Sequence, residues 1–146
     1  MRRLEFESIV DFQLERTWKL FTEVENYPDY IKFCNRAIPE GSFEEGNYWY
    51  DWTTILYLPL KIRHKIVKIS LQKELLYLIE VPFIIIEQKI TFEDLRPQTR
   101  VKIELTFNFG NKLLEKVFGP LLFRRNTEMI EDLMNSYKRV KSNEAS

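Results

Sequence analysis

The chain has few of the residues that build disulfides and metal sites. Its 146 residues include one cysteine, Cys34, and one histidine, His64. A single cysteine excludes an internal disulfide, which agrees with a reducing compartment. One cysteine and one histidine are also too few for the tetrahedral Cys/His set of a structural zinc site. We therefore expect no metal and no other cofactor.

Glycine and long apolar runs are scarce as well. The four glycines form no phosphate-binding loop, and the sequence has no nucleophile elbow and no HExxH motif. Its apolar runs are far shorter than the ~20 residues that a membrane-spanning helix needs. The charged N-terminal stretch lacks the apolar core of a secretory signal, so we expect a cytoplasmic protein.

Neither sign of charge is in excess, since the chain has 22 basic and 22 acidic residues. Phosphate-dominated binding then lacks long-range electrostatic support, and we do not expect a nucleic-acid partner. Aromatic residues, in contrast, are abundant and make up 14% of the chain. Such rings fill a core or line an apolar pocket, and composition leaves both uses open.

Hydrophobic periodicity predicts one strand, two short helices, six more strands and a long closing helix. A helical pattern begins at Gln13, and Asn26 with Pro28 marks the start of a second helix. A final helical stripe runs to about Lys141. The ranges with strand-like patterns are 3–11, 35–43, 47–58, 61–71, 75–81, 84–94 and 99–109.

This order predicts an α+β fold in which a curved antiparallel sheet of about seven strands wraps around the closing helix and leaves a cavity. We expect a break or a bulge at residues 58–60, because Pro59 cannot donate to a central ladder. The length favours a single domain over residues 1–141. The short polar tail, residues 142–146, is expected to be disordered.

The N-terminal helices carry a resemblance to a known family. The matching residues are Glu15, Thr17, Trp18 and the run 23–34, EVENYPDYIKFC. In this pattern the chain resembles the START/Bet v 1-like superfamily, and within it the polyketide cyclase/dehydrase or coenzyme-Q-binding branch. The resemblance implies a helix-grip fold over essentially the whole chain, with an internal cavity for an apolar molecule. Phe12 and Gln13 depart from the family pattern, which has a small residue and a proline there.

His64 is the first candidate for a polar contact in such a cavity. If residues 61–69 form one strand, His64 shares a face with Ile62 and Ile66 and points inward. It would then bind, or exchange a proton with, a carbonyl or hydroxyl group. A satisfied core histidine is the alternative. Cys34 has no sequence neighbour that would activate its thiol, so we expect a small structural hydrophobe.

Two apolar stretches give the remaining candidates. The run 48–52, YWYDW, places Trp49 on one face of a strand and both Tyr50 and Trp52 on the other, and the pattern does not decide which face lines the cavity. The segment 113–123 forms either a membrane-touching lip at the cavity mouth or an ordinary packed helix. The residues predicted to bind the ligand are Trp49, Tyr50, Trp52, His64, Ile86, Phe107, Phe118, Leu122 and Met129.

Together these features predict a carrier or sequestering protein that binds an apolar or amphipathic small molecule non-covalently. A lipid or an isoprenoid quinone is the expected ligand class, with transient membrane contact at the lip. The resemblance leaves two alternatives. One is a cyclase or aromatase that closes polyketide rings by proximity, with His64 as its catalytic candidate. The other is a module that docks on a ribosome or another protein.

Overall fold

The computed structural model describes residues 2–30, 34–55, 58–81 and 84–113, and beyond these 115–117, 119–120, 124, 127–128, 131 and 135. Helix α1 (Leu14–Thr22), a 3₁₀ turn (Val24–Asn26) and helix α2 (Tyr27–Tyr30) separate the first two strands. The strands are β1 (Arg2–Val10), β2 (Cys34–Glu40), β3 (Tyr48–Ile55), β4 (Leu58–Ser70), β5 (Glu74–Val81), β6 (Ile84–Asp94) and β7 (Thr99–Phe109).

These strands form one antiparallel sheet in the order β1-β7-β6-β5-β4-β3-β2. The predicted α+β class and the seven-stranded sheet are therefore confirmed. The closing helix lies mostly outside the described residues, and those of its positions that are described, from 112 onward, are helical. Among the described residues, no helix is long and apolar enough to cross a bilayer.

The sheet has one buried face, which we call the inner face. Along β7, Thr99, Val101, Ile103, Leu105 and Phe107 are buried, whereas the residues between them are partly or fully exposed. This period of two is what a strand with one packed face requires. The inner faces of the neighbouring strands continue the same core.

Helix α1 covers part of the inner face because its apolar residues recur at helical spacing. Trp18 and Phe21 meet the ring of Phe92 on β6 edge-on, with ring centroids 5.1 and 5.4 Å apart. The start of the helix is fixed at one carbonyl. Thr99 Oγ1 donates to the backbone oxygen of Phe12 at 2.8 Å, which ties the start of the helix to β7. Thr17 Oγ1 lies 3.0 Å from the carbonyl oxygen of Gln13 and 3.3 Å from that of Phe12.

A glycine turn holds the start of β3 against β4. Gly46 adopts a φ of +88°, a conformation that side chains with a Cβ rarely adopt. Its N–H donates to the carbonyl of Ile66, and the N–H of Ile66 donates to the carbonyl of Asn47, each at 2.8 Å. These two bonds set the register in which β3 faces β4.

The expected break or bulge at residues 58–60 is wrong. Strand β4 begins at Leu58 and includes Pro59, which pairs with Thr54 of β3. Pairing between β4 and β5 begins only at Arg63. Pro59 therefore lies where β4 has a neighbour on one side, and its missing N–H costs the sheet little there.

The phenol of Tyr27 anchors the short helices to the sheet. Its OH donates to the carbonyl of Phe21, and its ring meets Trp49 edge-on at 5.5 Å. Both partners are buried, with Tyr27 only 6% exposed. The start of helix α2 therefore packs directly on Trp49 of β3.

Replacing Tyr27 with Phe should destabilise the fold by about 1–2 kcal/mol, because it removes the buried hydrogen bond that the Tyr27 hydroxyl donates to the Phe21 carbonyl. Urea unfolding followed by circular dichroism measures this change. Tyr50→Phe is the matched control, since the Tyr50 hydroxyl donates to Glu40 at the surface and its loss should cost no more than about 0.5 kcal/mol. Equal losses in the two variants would contradict the anchoring role of Tyr27.

Candidate functional site

Strand alternation brings an unusual polar group to the inner face. On β3, Trp49 and Asp51 point inward and are 3% and 7% exposed. On β4, His64 points inward and is 5% exposed. Ile66 continues the same face of β4 and is fully buried, as the sequence predicted for a strand through His64. A carboxylate and an imidazole therefore lie within a core that is mostly apolar and whose other buried polar side chains are threonines and tyrosines.

Trp49, Asp51 and His64 contact one another directly. Trp49 and His64 are register partners, and their rings stack with centroids 3.7 Å apart and planes 7° from parallel. His64 Nε2 lies 2.8 Å from Asp51 Oδ2. Because an ionised carboxylate can only accept, Nε2 carries the proton and donates. Asp51 thereby fixes the imidazole and leaves Nδ1 facing away from the pair.

Tyr77 of β5 completes the group. Its ring meets Trp49 at 5.8 Å and His64 at 6.3 Å, edge-on in both cases. Burial, with a smaller contribution from Tyr27, raises the pKa of Tyr77 well above its ordinary value, so the phenol keeps its proton. We refer to Trp49, Asp51, His64 and Tyr77 as the inner polar cluster.

Each member of the inner polar cluster has a buried polar atom without a protein partner. Within the described part of the chain, nothing bonds to Trp49 Nε1, Asp51 Oδ1, His64 Nδ1 or Tyr77 OH. Buried polar groups in folded proteins are almost always hydrogen-bonded. Four unpaired atoms in one cluster therefore make this cluster the candidate binding site.

The charge around this cluster restricts what it can bind. Asp51 and His64 are the buried ionisable side chains of the inner face apart from the tyrosines and Cys34, and no described lysine or arginine is buried. A buried anion would find no lysine or arginine to pair with among the residues that the structure describes. The cluster is suited to an uncharged group that both donates and accepts hydrogen bonds.

A family profile described as "Polyketide cyclase / dehydrase and lipid transport" matches residues 10–134. The chain belongs to this family. The match confirms the resemblance carried by Glu15, Thr17, Trp18 and the run 23–34. No curated protein matches the sequence.

Solved structures share the fold of this family member. A Thermus thermophilus protein, TTHA0849, superposes with a TM-score of 0.77 at 13% identity, covering 99% of this chain and 100% of that one. A START superfamily protein from Mycobacterium smegmatis gives 0.72 at 12% identity over 94% and 98%. Norcoclaurine synthase of Thalictrum flavum, solved with a transition-state analogue, gives 0.73 at 10% identity over 96% of each chain. At such identities the likeness shows the fold alone.

In this member of the polyketide cyclase/dehydrase and lipid transport family, the predicted site residues separate into three groups. Trp49, His64, Ile86 and Phe107 lie on the inner face, and Ile86 and Phe107 are register partners on β6 and β7. Tyr50 and Trp52 project from the opposite face, because neighbours on a strand alternate. They cannot share a site with Trp49. The predicted residues Phe118, Leu122 and Met129 lie outside the described residues.

Sequence reasoning did not select two members of the cluster, Asp51 and Tyr77. Asp51 is the one acid in the aromatic run 48–52, and a carboxylate between large rings on a strand was the available signal. Tyr77 alternates with Leu75 and Ile79 on β5, so only its polar end distinguished it from core residues. Neither signal says which residues of the neighbouring strands lie beside Asp51 or Tyr77.

Cys34 lies near the cluster as a buried thiol that donates weakly to the Arg36 carbonyl at 3.6 Å. Burial first, and then the charge of Asp51, raise the pKa of the thiol to about 12. A thiol held in its protonated form is a poor nucleophile and a poor metal ligand. Among the described residues, no group of three or more His, Cys, Asp or Glu side chains is placed to hold a metal ion.

Cys34 should react slowly with iodoacetamide in the native protein. With a folded pKa of about 12, the thiolate fraction at about pH 8 is on the order of 10⁻⁴, against about a quarter for an unfolded thiol with a pKa near 8.5. We expect alkylation at least about 100-fold slower than in urea. Mass spectrometry of timed samples measures both rates.

The raised pKa of the Cys34 thiol also makes the stability of the folded protein depend on pH. A thiol pKa raised by folding stabilises the protein below about pH 8.5, and this contribution is lost as the pH rises towards the folded value. Asp51→Asn removes the second cause of the shift, so native alkylation should accelerate in that variant. Native and unfolded chains that react at one rate would contradict the buried placement of Cys34.

Proposed function

We propose that the protein binds an amphipathic small molecule against the inner face, with the uncharged polar end of that molecule at the inner polar cluster. The four unpaired buried atoms of this cluster carry the proposal. Leaving such atoms unbonded costs about 1–3 kcal/mol each, so a ligand that bonds to them gains affinity and orientation. The family description, which includes lipid transport, supports the same conclusion.

The chemistry of the four atoms selects the class of ligand. Trp49 Nε1 donates, Asp51 Oδ1 accepts, His64 Nδ1 accepts in the tautomer whose Nε2 donates to Asp51, and Tyr77 OH does either. A hydroxyl group on the ligand can donate to Asp51 or His64, and a carbonyl group can accept from Trp49 or Tyr77. Lipid alcohols and isoprenoid quinones or quinols have these groups, whereas a fatty-acid carboxylate would meet the charge of Asp51.

The apolar part of the ligand has a matching surface. Ile79, Ile86, Ile90 and Phe107 extend the inner face from the cluster across β5, β6 and β7. Contact with such side chains contributes roughly 25 cal/mol for each Å² of apolar ligand surface removed from water, less the cost of ordering the ligand. Affinity then comes mainly from the apolar body, and orientation comes from the cluster.

The first measurement is mass spectrometry of an organic extract of the natively purified protein, compared with a mock purification. We expect a stoichiometric neutral amphiphile, because the unpaired atoms favour a hydroxyl or carbonyl group and disfavour an anion. A protein that is empty, or that carries only fatty acids, counts against the proposal.

Calorimetric titration with a matched pair of probes tests the polar end directly. 1-Decanol should bind and decanoate should not, since the two differ only in the group that would face Asp51. Trp49→Phe and Tyr77→Phe should each weaken decanol binding by about three- to tenfold, the value of one neutral hydrogen bond. Tyr50→Phe, on the opposite face, should bind as the wild type does. Equal affinities for the two probes would exclude the cluster as the recognition site.

A cyclase of the kind that the family description names is the second candidate, and the pairing of His64 with Asp51 favours it. A base held by a carboxylate is the usual arrangement for proton abstraction. His64 Nδ1 would take an α-proton from a poly-β-ketone. The electron pair would form a carbon–carbon bond to a ketone carbon, and the proton would return to the new alkoxide.

Incubation with a linear poly-β-ketone, followed by chromatography, tests this activity. His64→Gln should abolish cyclised product while weakening decanol binding by no more than the about three- to tenfold expected of the other single-contact variants, since only one polar contact changes. If wild type and His64→Gln form product at the rate of buffer alone, the cyclase candidate is excluded and the binding proposal is unaffected.

A further inference from the structure

The outer face of the sheet has an uneven distribution of paired charge. Beyond residues 36–40 of β2, 48–52 of β3 and 61–65 of β4, the basic side chains on the described strands of this face lie against carboxylates. The recorded pairs are Arg3 with Glu5 and Glu104, Lys68 and Lys89 with Glu74, Arg100 with Glu7 and Glu93, and Lys102 with Glu104. This part of the face is locally neutral and offers a charged partner little attraction.

The outer face of β2, β3 and β4 is different. The register sets three rows, which are Arg36–Trp52–Lys61, Ile38–Tyr50–Arg63 and Glu40–Tyr48–Lys65. We call these nine residues the basic–aromatic patch. Within the described part of the chain, Arg36, Lys61 and Lys65 have no carboxylate partner, whereas Arg63 pairs with Glu80. Positive charge is therefore in excess here, although the whole chain is neutral.

The cationic side chains of the patch lie over its aromatic rings. Lys61 Nζ lies 4.3 Å from the ring centroid of Tyr50 and 5.4 Å from that of Trp52. The guanidinium of Arg36 lies 5.3 Å from the Trp52 ring, and that of Arg63 lies 4.7 Å from the Tyr48 ring. These contacts hold the basic groups at the surface together with amphipathic rings.

We propose that the basic–aromatic patch docks the protein on an anionic phospholipid bilayer. Lysine and arginine near a bilayer surface are attracted to anionic lipids. Tryptophan and tyrosine are enriched at the membrane–water interface, where one end of the ring is apolar and the other is wet. The patch combines both residue types on one sheet surface.

Apolar residues at one end of the sheet set the orientation on the bilayer. Beyond Lys61, the outer face of β4 continues to the exposed Pro59, towards the end of the sheet at which β7 finishes. Just after β7, Leu113 and Val117 are 66% and 61% exposed and lie one helical turn apart. This end enters the interface first, with the row of Arg36, Trp52 and Lys61 at headgroup level.

The ring contacts favour a bilayer over single-stranded RNA. Base stacking needs an open ring face, but Tyr48, Tyr50 and Trp52 each have a cation over the ring. Lipid phosphate can meet these cations where they are. Docking does not depend on a ligand at the inner polar cluster, because the two sites occupy opposite faces of β3.

Co-sedimentation with vesicles tests the proposal. The full chain should bind phosphatidylcholine vesicles that contain about 30% phosphatidylglycerol, should bind pure phosphatidylcholine much more weakly, and should lose most of the binding at about 0.5 M salt. The variant Arg36→Gln/Lys61→Gln/Lys65→Gln should bind about ten- to a hundredfold more weakly. Arg3→Gln/Lys89→Gln/Lys102→Gln removes the same charge from paired positions and should lose no more than about threefold.

Tryptophan fluorescence identifies the surface in contact. Trp18 and Trp49 are buried, whereas Trp52 is partly exposed. Vesicles should therefore shift the emission to shorter wavelength in the wild type, and Trp52→Phe should remove the shift. Equal losses in the two charge variants, or an unchanged shift in Trp52→Phe, would overturn the proposal. So would patch-dependent retention on single-stranded RNA without vesicle binding, which would assign the patch to nucleic acid.

Discussion

The register between β3 and β4 is the constraint on which both surfaces of this protein depend. It places Trp49 against His64 on the inner face, and in the same step it places Trp52 against Lys61 on the outer face. A slip of one residue would exchange the two sets, moving a buried carboxylate into water and three aromatic rings into the core. The turn at Gly46 and its bonds to Ile66 hold this register.

The inner polar cluster combines order with incomplete hydrogen bonding. Stacking on Trp49 and the bond to Asp51 fix the His64 ring, and Tyr27 holds the short helices against the same tryptophan. The atoms left unpaired belong to side chains that are themselves immobilised by packing. A site of this kind is organised before its ligand arrives, which reduces the ordering cost of binding.

The inner and outer faces of β3 have the two properties that a carrier of an apolar small molecule needs. A ligand with an apolar body is poorly soluble in water and is exchanged where lipids are. A protein that holds such a molecule against the inner face gains from a second surface that keeps it at a bilayer. In the proposal made above, the local excess of positive charge would supply that surface without changing the net charge of the chain.

Local patterns in the sequence determined the strands, the two short helices and the family, because strand alternation, helix spacing and turn residues act over a few positions. Strands 84–94 and 99–109 were predicted at the bounds that the structure has. The inward direction of His64 followed from its neighbours Ile62 and Ile66. Only the tertiary structure decided that Asp51 reaches His64, that Tyr77 joins them, and that Tyr50 and Trp52 face outward. Those facts depend on which residues of different strands lie opposite one another, and pairing across a sheet is a long-range property that no local pattern encodes.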